Sequence, residues 1–169
     1  MHLLASIQMK AISDYSKQIQ YNKATSLLIA VQTFRIGGVF FIWGMTQGFL
    51  DPAFAIPASI GDILIGLTAV PFAVLIWKGY SWSKYAVIVW SVLGIADLVN
   101  AITLGQITSS GPTISAVLNF PLILFPTMPV LGALALHLIT LYRLRRYVPL
   151  QEHMKLSSKN SSFAKKEEA

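Results

Sequence analysis

Long apolar stretches separated by short polar segments dominate the pattern of this chain. A helix needs about 20 mostly apolar residues to cross the hydrocarbon core of a bilayer. Four stretches have that length, at residues 27–50, 53–77, 85–104 and 121–142. Residues 73–77 and 120–125 are apolar on every face, which suits a helix in lipid and not the alternating strand of a membrane barrel. The pattern predicts an all-α integral membrane protein, a four-helix bundle.

Composition excludes most other classes. Hydrophobic residues make up 54% of the 169 residues and charged residues only 12%, about half the usual charged share of a soluble domain. So few charges do not cover the surface of a soluble domain, and the core is too hydrophobic for intrinsic disorder. The chain has no cysteine, which excludes a disulfide scaffold and any Cys-ligated zinc or iron–sulfur site.

The basic residues predict the orientation of the bundle. If all four stretches cross, every Lys and Arg except Arg35 lies on one side of the membrane, and the other side carries only Asp51. The positive-inside rule then places both termini in the cytoplasm. The expected location is the cytoplasmic (inner) membrane of a cell. Three or five crossings would divide the basic residues between both faces.

The two ends of the chain are polar. Residues 1–26 form a cytoplasmic segment, interpreted either as an interfacial helix or as a frayed tail, and their apolar run is too short for a signal peptide. Residues 143–169 are basic and rich in Ser and Lys, which is typical of a disordered cytoplasmic tail. We expect the Arg143–Arg146 run to anchor the helix near anionic head groups and not to bind nucleic acid.

Each predicted span carries one ionisable residue, and such residues usually face the interior of a bundle because charge is costly in lipid. Helical spacing places both aspartates on stripes of Gly and Ala, which let helices approach closely. Both aspartates lie near mid-membrane, and a long arginine side chain can reach them. We therefore expect a buried polar cluster with one further amide nearby and the histidine closer to the cytoplasm. The candidates are Arg35, Asp62, Asp97, Asn100 and His137.

The charges of this cluster suggest a proton site. One arginine neutralises one carboxylate, and the second carboxylate is then a like-charged neighbour in a low dielectric, so one aspartate is a candidate to hold and release a proton. The competing interpretation is structural, since Arg–Asp pairs and Asp–Asn hydrogen bonds also join helices. We expect no metal and no other cofactor. A bis-histidine haem is disfavoured because His2 and His153 lie outside the spans.

Three functions remain open. The leading hypothesis is a small proton-coupled transporter or ion- or solute-conducting protein that uses Arg35 and the two aspartates. The first alternative is a non-catalytic accessory or assembly subunit of a membrane complex. The second is a membrane-embedded enzyme, which has the least support because the chain contains no HExxH, GxSxG or P-loop motif. Expected partners are the lipid bilayer and either further copies of the chain or other subunits of a complex.

Two patterns in the first and second spans resemble those of small four-span bacterial membrane proteins, Phe34-Arg35 with Gly44 and Ile56-Pro57 with Gly61-Asp62 and Gly66. The first-span pattern is also loosely similar to DoxX-like proteins. The likeness covers a minor part of the chain. It implies a membrane bundle and brings no catalytic residue.

Overall fold

The computed structural model describes residues 2–108 and 124–149. Every regular element within these residues is helical, so the all-α prediction is confirmed for them. The expectations for the connection after residue 108, for residues 121–123 of the fourth stretch and for the tail from residue 150 lie outside the described residues. In chain order the elements are α1 (His2–Val31), a 3₁₀ segment (Gln32–Gly38), α2 (Val39–Thr46), α3 (Pro52–Lys78), α4 (Ser83–Thr108) and α5 (Leu124–Leu144).

Three helical stretches are long and apolar enough to cross a membrane. They are Ile12–Thr46, which runs through the 3₁₀ segment, Pro52–Lys78 and Ser83–Thr108. Part of α5, Met128–Leu144, is a shorter apolar helix. A membrane protein is built from such helices, and their cores coincide with the first three stretches that the hydrophobic pattern marked.

The packing is that of a bundle in lipid. Large apolar side chains such as Leu64, Leu67 and Leu93 are more than half exposed, whereas many buried positions hold Ala, Gly, Ser or Thr. Water would oppose this arrangement, but lipid tails solvate the outer Leu and Val side chains, and small inner residues let the helices approach. The exposed surface is therefore the lipid-facing surface that the composition requires.

The first span begins earlier than the hydrophobic pattern indicated. Helix α1 continues without a break through residue 26, because residues 2–31 contain neither Gly nor Pro to end it. The α-helical pattern changes only at the 3₁₀ segment, which ends in Gly37-Gly38. The far end of the span is shorter than residues 27–50, since α2 ends at Thr46 and Gly48 adopts a left-handed φ of 75° in the turn that follows.

Helix α3 has clear start and stop signals. The side chain of Asp51 accepts a hydrogen bond of 2.7 Å from the Ala53 amide, and Pro52 occupies the first helical position, where it needs no amide partner. At the other end Gly79 takes the left-handed conformation with a φ of 69° and donates to the last carbonyls. These local contacts fix where α3 begins and ends.

Contacts between helix ends gather the basic residues in one region. Tyr21 of α1 donates a 2.7 Å hydrogen bond to the Arg143 carbonyl, and Ser26 donates to the Ala73 carbonyl at 2.8 Å. Ser83 and Tyr147 are hydrogen-bonded at 2.9 Å. Lys78, Lys84 and Arg143 lie at this end of their helices, and we call it the basic end of the bundle. A buried apolar cluster that includes Ile29, Ile76, Val87, Leu144 and Tyr147 packs α1, α3, α4 and α5 together there.

Candidate functional site

Arg35 is held inside the bundle by the 3₁₀ segment. Side chains three residues apart are eclipsed in a 3₁₀ helix, so Gln32, Arg35 and Gly38 lie in one row. These three are the buried residues of the segment, and the Arg35 side chain is only 1% exposed. An α-helical path would rotate successive members of this row away from the interior. The local change of helix type therefore directs Gln32, Arg35 and Gly38 toward the interior of the bundle.

The Arg35 guanidinium joins α3, α4 and α5. Its Nε donates to Oδ1 of Asp62 at 2.7 Å, and its Nη2 donates to Oδ2 of Asp97. The remaining contacts are made by Nη1, which reaches the Gly94 carbonyl at 3.5 Å and Nε2 of His137 at 3.3 Å. A planar guanidinium presents five N–H donors in a fixed fork, and here the fork points to three different helices.

A glycine on a neighbouring helix makes room for each of the three partners of Arg35. A methyl group added at Gly61 would coincide with the Asp97 carboxylate, and one added at Gly94 would coincide with the His137 ring. A methyl group at Gly38 would collide with the Asp62 side chain. These glycines therefore do more than let the backbones approach. They also leave the space that the three polar side chains occupy.

The tautomer of His137 follows from its partner. Arginine only donates hydrogen bonds, so the contact with Arg35 requires Nε2 to be the acceptor and places the proton of a neutral ring on Nδ1. The ring is fully buried and packs 5.0 Å from the centre of the Trp90 ring. Trp90 in turn donates to the Thr68 hydroxyl at 2.9 Å. Among the described groups, Nδ1 of His137 has no hydrogen-bond partner.

The cluster has more negative charge and more acceptors than positive charge and donors. With both aspartates ionised and His137 neutral, one arginine faces two carboxylates, and the formal charge is −1. Each carboxylate uses one oxygen on Arg35. The second oxygens face glycines, because Oδ2 of Asp62 lies beside Gly38 and Oδ1 of Asp97 beside Gly61. A group that adds one positive charge, a proton or another cation, balances this site.

Further buried polar groups continue from the cluster toward the basic end. Gln32, Ser91 and Thr140 are fully buried, and their side-chain polar atoms have no hydrogen-bond partner among the described groups. Each lies one helical turn nearer the basic end than a residue of the cluster: Gln32 than Arg35, Ser91 than Gly94, and Thr140 than His137. Buried polar atoms in proteins are normally satisfied by protein groups or by ordered water. We call these three residues the polar row.

Arg143 forms a second set of polar contacts, at the basic end of the bundle. The Arg143 guanidinium lies 4.2 Å from the centre of the Tyr21 ring, and its Nε donates to the Thr25 hydroxyl at 2.9 Å. Its Nη2 also donates to the Tyr21 carbonyl at 3.2 Å. These contacts fasten α5 to α1, which the sequence pattern did not indicate.

The structure brings four of the five candidate residues together, namely Arg35, Asp62, Asp97 and His137. Asn100 lies one turn beyond Asp97, is exposed, and does not bond to the cluster. His137 contacts the guanidinium directly, with Nε2 at 3.3 Å from Nη1 of Arg35, and does not lie apart from it toward the end of α5.

Sequence reasoning overlooked Trp90. Its position in the middle of a span, four residues before Gly94, places it on the same helix face as that glycine. This spacing was the available signal. No group of three or more His, Cys, Asp or Glu side chains that could hold a metal ion occurs within residues 2–108 and 124–149.

Comparison with known proteins identifies a family for most of the chain. The model of one family, described as a domain of unknown function (DUF8737), matches residues 2–145. The chain belongs to this family. The matched region contains the whole cluster from Arg35 to His137, the polar row and Arg143. No curated protein and no solved structure matches the chain.

Proposed function

We propose that this DUF8737 protein is an ion-conducting membrane protein that carries protons across the cytoplasmic membrane through the Arg35 cluster. The observation that carries the proposal is the imbalance of the cluster, in which two carboxylates share one buried arginine. Taking up a proton at Asp62 or Asp97 removes the formal charge of −1, and releasing it restores that charge. A buried group with two such states is what a proton relay requires.

The topology of the proposal has four crossings, with α5 in the fourth and both termini in the cytoplasm. The support is the distribution of charge, since Lys78, Lys84 and Arg143 lie at one end of the bundle and Asp51 caps α3 at the other. Reporter fusions at residue 51 and at residue 80 test this arrangement. Reporters that place both positions on the same side of the membrane would contradict it.

The polar row supplies a route between the cluster and the cytoplasm. Gln32, Ser91 and Thr140 are buried hydroxyl and amide groups that can each accept and donate. Water molecules bridging these groups would connect the cluster to the basic end, and Nδ1 of His137, which has no partner among the described groups, is available to join such a chain. Ser59, another buried hydroxyl without a partner among the described groups, lies one turn from Asp62 on the opposite side.

The competing interpretation is that the cluster only joins helices. Its contacts fit a helix joint as well, because the guanidinium touches three helices. The two interpretations differ in one respect. A joint has to keep its charges paired, whereas a relay has to change its protonation while the bundle stays folded.

The experiment compares three matched variants. Asp62→Asn and Asp97→Asn keep the size of the side chain and remove the titratable proton, and Asp51→Asn does the same at an exposed helix cap, where Asn also caps well. Each protein is reconstituted in vesicles, a potassium diffusion potential is imposed with valinomycin, and the internal pH is followed with a trapped dye.

Wild type and Asp51→Asn should acidify the vesicles faster than protein-free controls. Asp62→Asn and Asp97→Asn, checked for insertion and folding by circular dichroism, should reduce the rate to that of the controls. A wild-type rate equal to that of protein-free vesicles, or undiminished flux in both cluster variants, would overturn the proposal and leave the cluster as a joint.

A further inference from the structure

A cavity of about 210 Å³ adjoins the cluster. Its walls come from the 3₁₀ segment, α2, α4 and α5, and Arg35 and Asp62 lie at its base. Asp97 and His137 do not line it. The cavity is smaller than the roughly 300–1,000 Å³ typical of sites for drug-sized ligands, so it suits a small molecule.

The mouth of the cavity opens on the lipid-facing surface. Phe34 and Phe40, which line it, are 44% and 67% exposed, and Pro129 on α5 is exposed as well. Phe34 and Phe40 lie in the second half of the first span, among exposed apolar side chains such as Val39 and Trp43, and Pro129 lies in α5. A ligand reaching this cavity from the hydrocarbon region needs apolar surface of its own.

The polar base of the cavity selects the charge of the ligand. The Arg35 side chain is 1% exposed and its donors already engage Asp62, Asp97, Gly94 and His137, whereas the Asp62 side chain is 20% exposed. Oδ2 of Asp62 lies beside Gly38, which lines the cavity, and accepts no hydrogen bond from the described groups. The accessible polar atom is therefore a carboxylate oxygen at a site with an excess of negative charge.

The apolar walls match the same ligand class. Three phenylalanines line the cavity, Phe34, Phe40 and Phe41. Aromatic faces attract cations, and quaternary ammonium ions in particular are bound between aromatic rings. A carboxylate at the base and phenylalanines along the walls are complementary to a cation with apolar substituents. An anion would meet the carboxylate, and a neutral molecule would leave the charge unbalanced.

We infer that the cavity is a binding site for small lipophilic organic cations, such as quaternary ammonium ions, with Asp62 as the counter-ion. The inference deepens the proposed function and rests on it in one respect, since a cation paired with Asp62 takes the place of the proton and thereby interrupts proton conduction through the cluster. Binding itself requires no flux, so the two proposals are tested separately.

The test uses the full chain in detergent micelles and isothermal titration calorimetry. The probe is benzyltrimethylammonium, and benzylsulfonate serves as an anion of similar size. Wild type should bind the cation and not the anion. Asp62→Asn should weaken binding of the cation by at least about tenfold, because the contact with a charged acceptor is lost.

A second pair of variants does not touch the cluster. A Cβ atom added at Gly37 meets no atom within 4 Å, and Gly37 is an exposed residue that lines the cavity, so Gly37→Leu should narrow the cavity. Gly132→Leu is the matched control, because Gly132 also faces open space and does not line the cavity. Binding should weaken at least about tenfold in Gly37→Leu and stay unchanged in Gly132→Leu.

Equal binding of cation and anion, or undiminished cation binding in both Gly37→Leu and Asp62→Asn, would overturn the inference. Cation binding without potential-driven proton flux would refute the proposed function and leave this site standing. Proton flux without cation binding would do the reverse.

Discussion

Replacing Gly66 with alanine tests how closely α3 packs on the first span. A methyl group at this position would lie 2.6 Å from the backbone nitrogen of Ile36 and 3.1 Å from the carbonyl carbon of Arg35. Both atoms belong to the 3₁₀ segment, whose backbone cannot rotate away as a side chain can. The helix and the segment have to separate, which lengthens the Arg35–Asp62 contact as well.

The magnitude follows from comparison with a second glycine. Alanine is more favourable than glycine in a helix interior by about 0.5–1 kcal/mol, and this gain is common to Gly66→Ala in α3 and Gly132→Ala in α5. A methyl group at Gly132 meets no atom within 4 Å, so that variant should keep the gain. Overpacking typically costs about 1–3 kcal/mol. A backbone obstacle favours the upper part of that range, and we expect the two variants to differ by about 2–3 kcal/mol.

The assay is an SDS titration of the purified proteins in mild detergent. Circular dichroism reports helix content, and tryptophan fluorescence reports packing near the cluster through the change from wild type when Trp90, the buried one of the four tryptophans, becomes exposed. Gly66→Ala should unfold at a lower SDS fraction than wild type, and Gly132→Ala at an equal or higher one. If Gly66→Ala is as stable as Gly132→Ala, α3 does not approach the first span as closely as described. The position assigned to Arg35 would then be wrong as well.

Three further predictions use the same titration. Arg35→Met leaves two half-buried carboxylates without their counter-charge and should cost about 3 kcal/mol, near the lower end of the range for a broken buried pair. Arg35→Lys should cost less, because it keeps the charge and loses only the planar fork. Equal stability of both variants and wild type would contradict the contacts of Arg35. Arg143→Lys should cost about 1 kcal/mol by losing the stacking on Tyr21, and the same change at exposed Arg145 should cost nothing measurable. Tyr147→Phe should cost about 1 kcal/mol through the lost hydrogen bond to Ser83. Burial raises the pKa of Tyr147 above its ordinary value of 10.0, so its neutral form stabilises the fold below pH 10 and this contribution disappears as pH rises through the folded-state pKa; an identical alkaline loss in Tyr147→Phe would contradict this assignment.

The hydrophobic pattern located the helices well because lipid imposes a local rule. Any segment inside the hydrocarbon core has to satisfy its backbone internally and present apolar side chains, so α3 and α4 could be placed within a few residues. Caps are local too, and Asp51-Pro52 and Gly79 delimit α3 through hydrogen bonds within a few residues of themselves. A helix within residues 1–26 was one of two open interpretations, and its continuity with the first span was not predicted because its polar surface resembles that of a tail, although it contains no helix breaker.

The polar cluster was predictable in its members and not in its geometry. Helical periodicity relates residues on one helix, so it placed Asp62 and Asp97 on small-residue stripes. Periodicity carries no information about how one helix is rotated or shifted along its axis relative to another. Whether Arg35 would meet one aspartate or two, and whether His137 would join them, depended on that rotation and shift.

The sequence by itself determined that this chain belongs in a membrane, that its interior is lined by small residues and that one ionisable side chain falls on each predicted span. Only the tertiary structure decided that one guanidinium joins three helices, that Gly38, Gly61 and Gly94 leave room for the side chains it binds, and that a cavity reaches Asp62. The physical reason is the range of the interactions involved. Solvation by lipid and backbone hydrogen bonding act within a segment, whereas steric fit between glycines and polar side chains exists only once the helices are side by side.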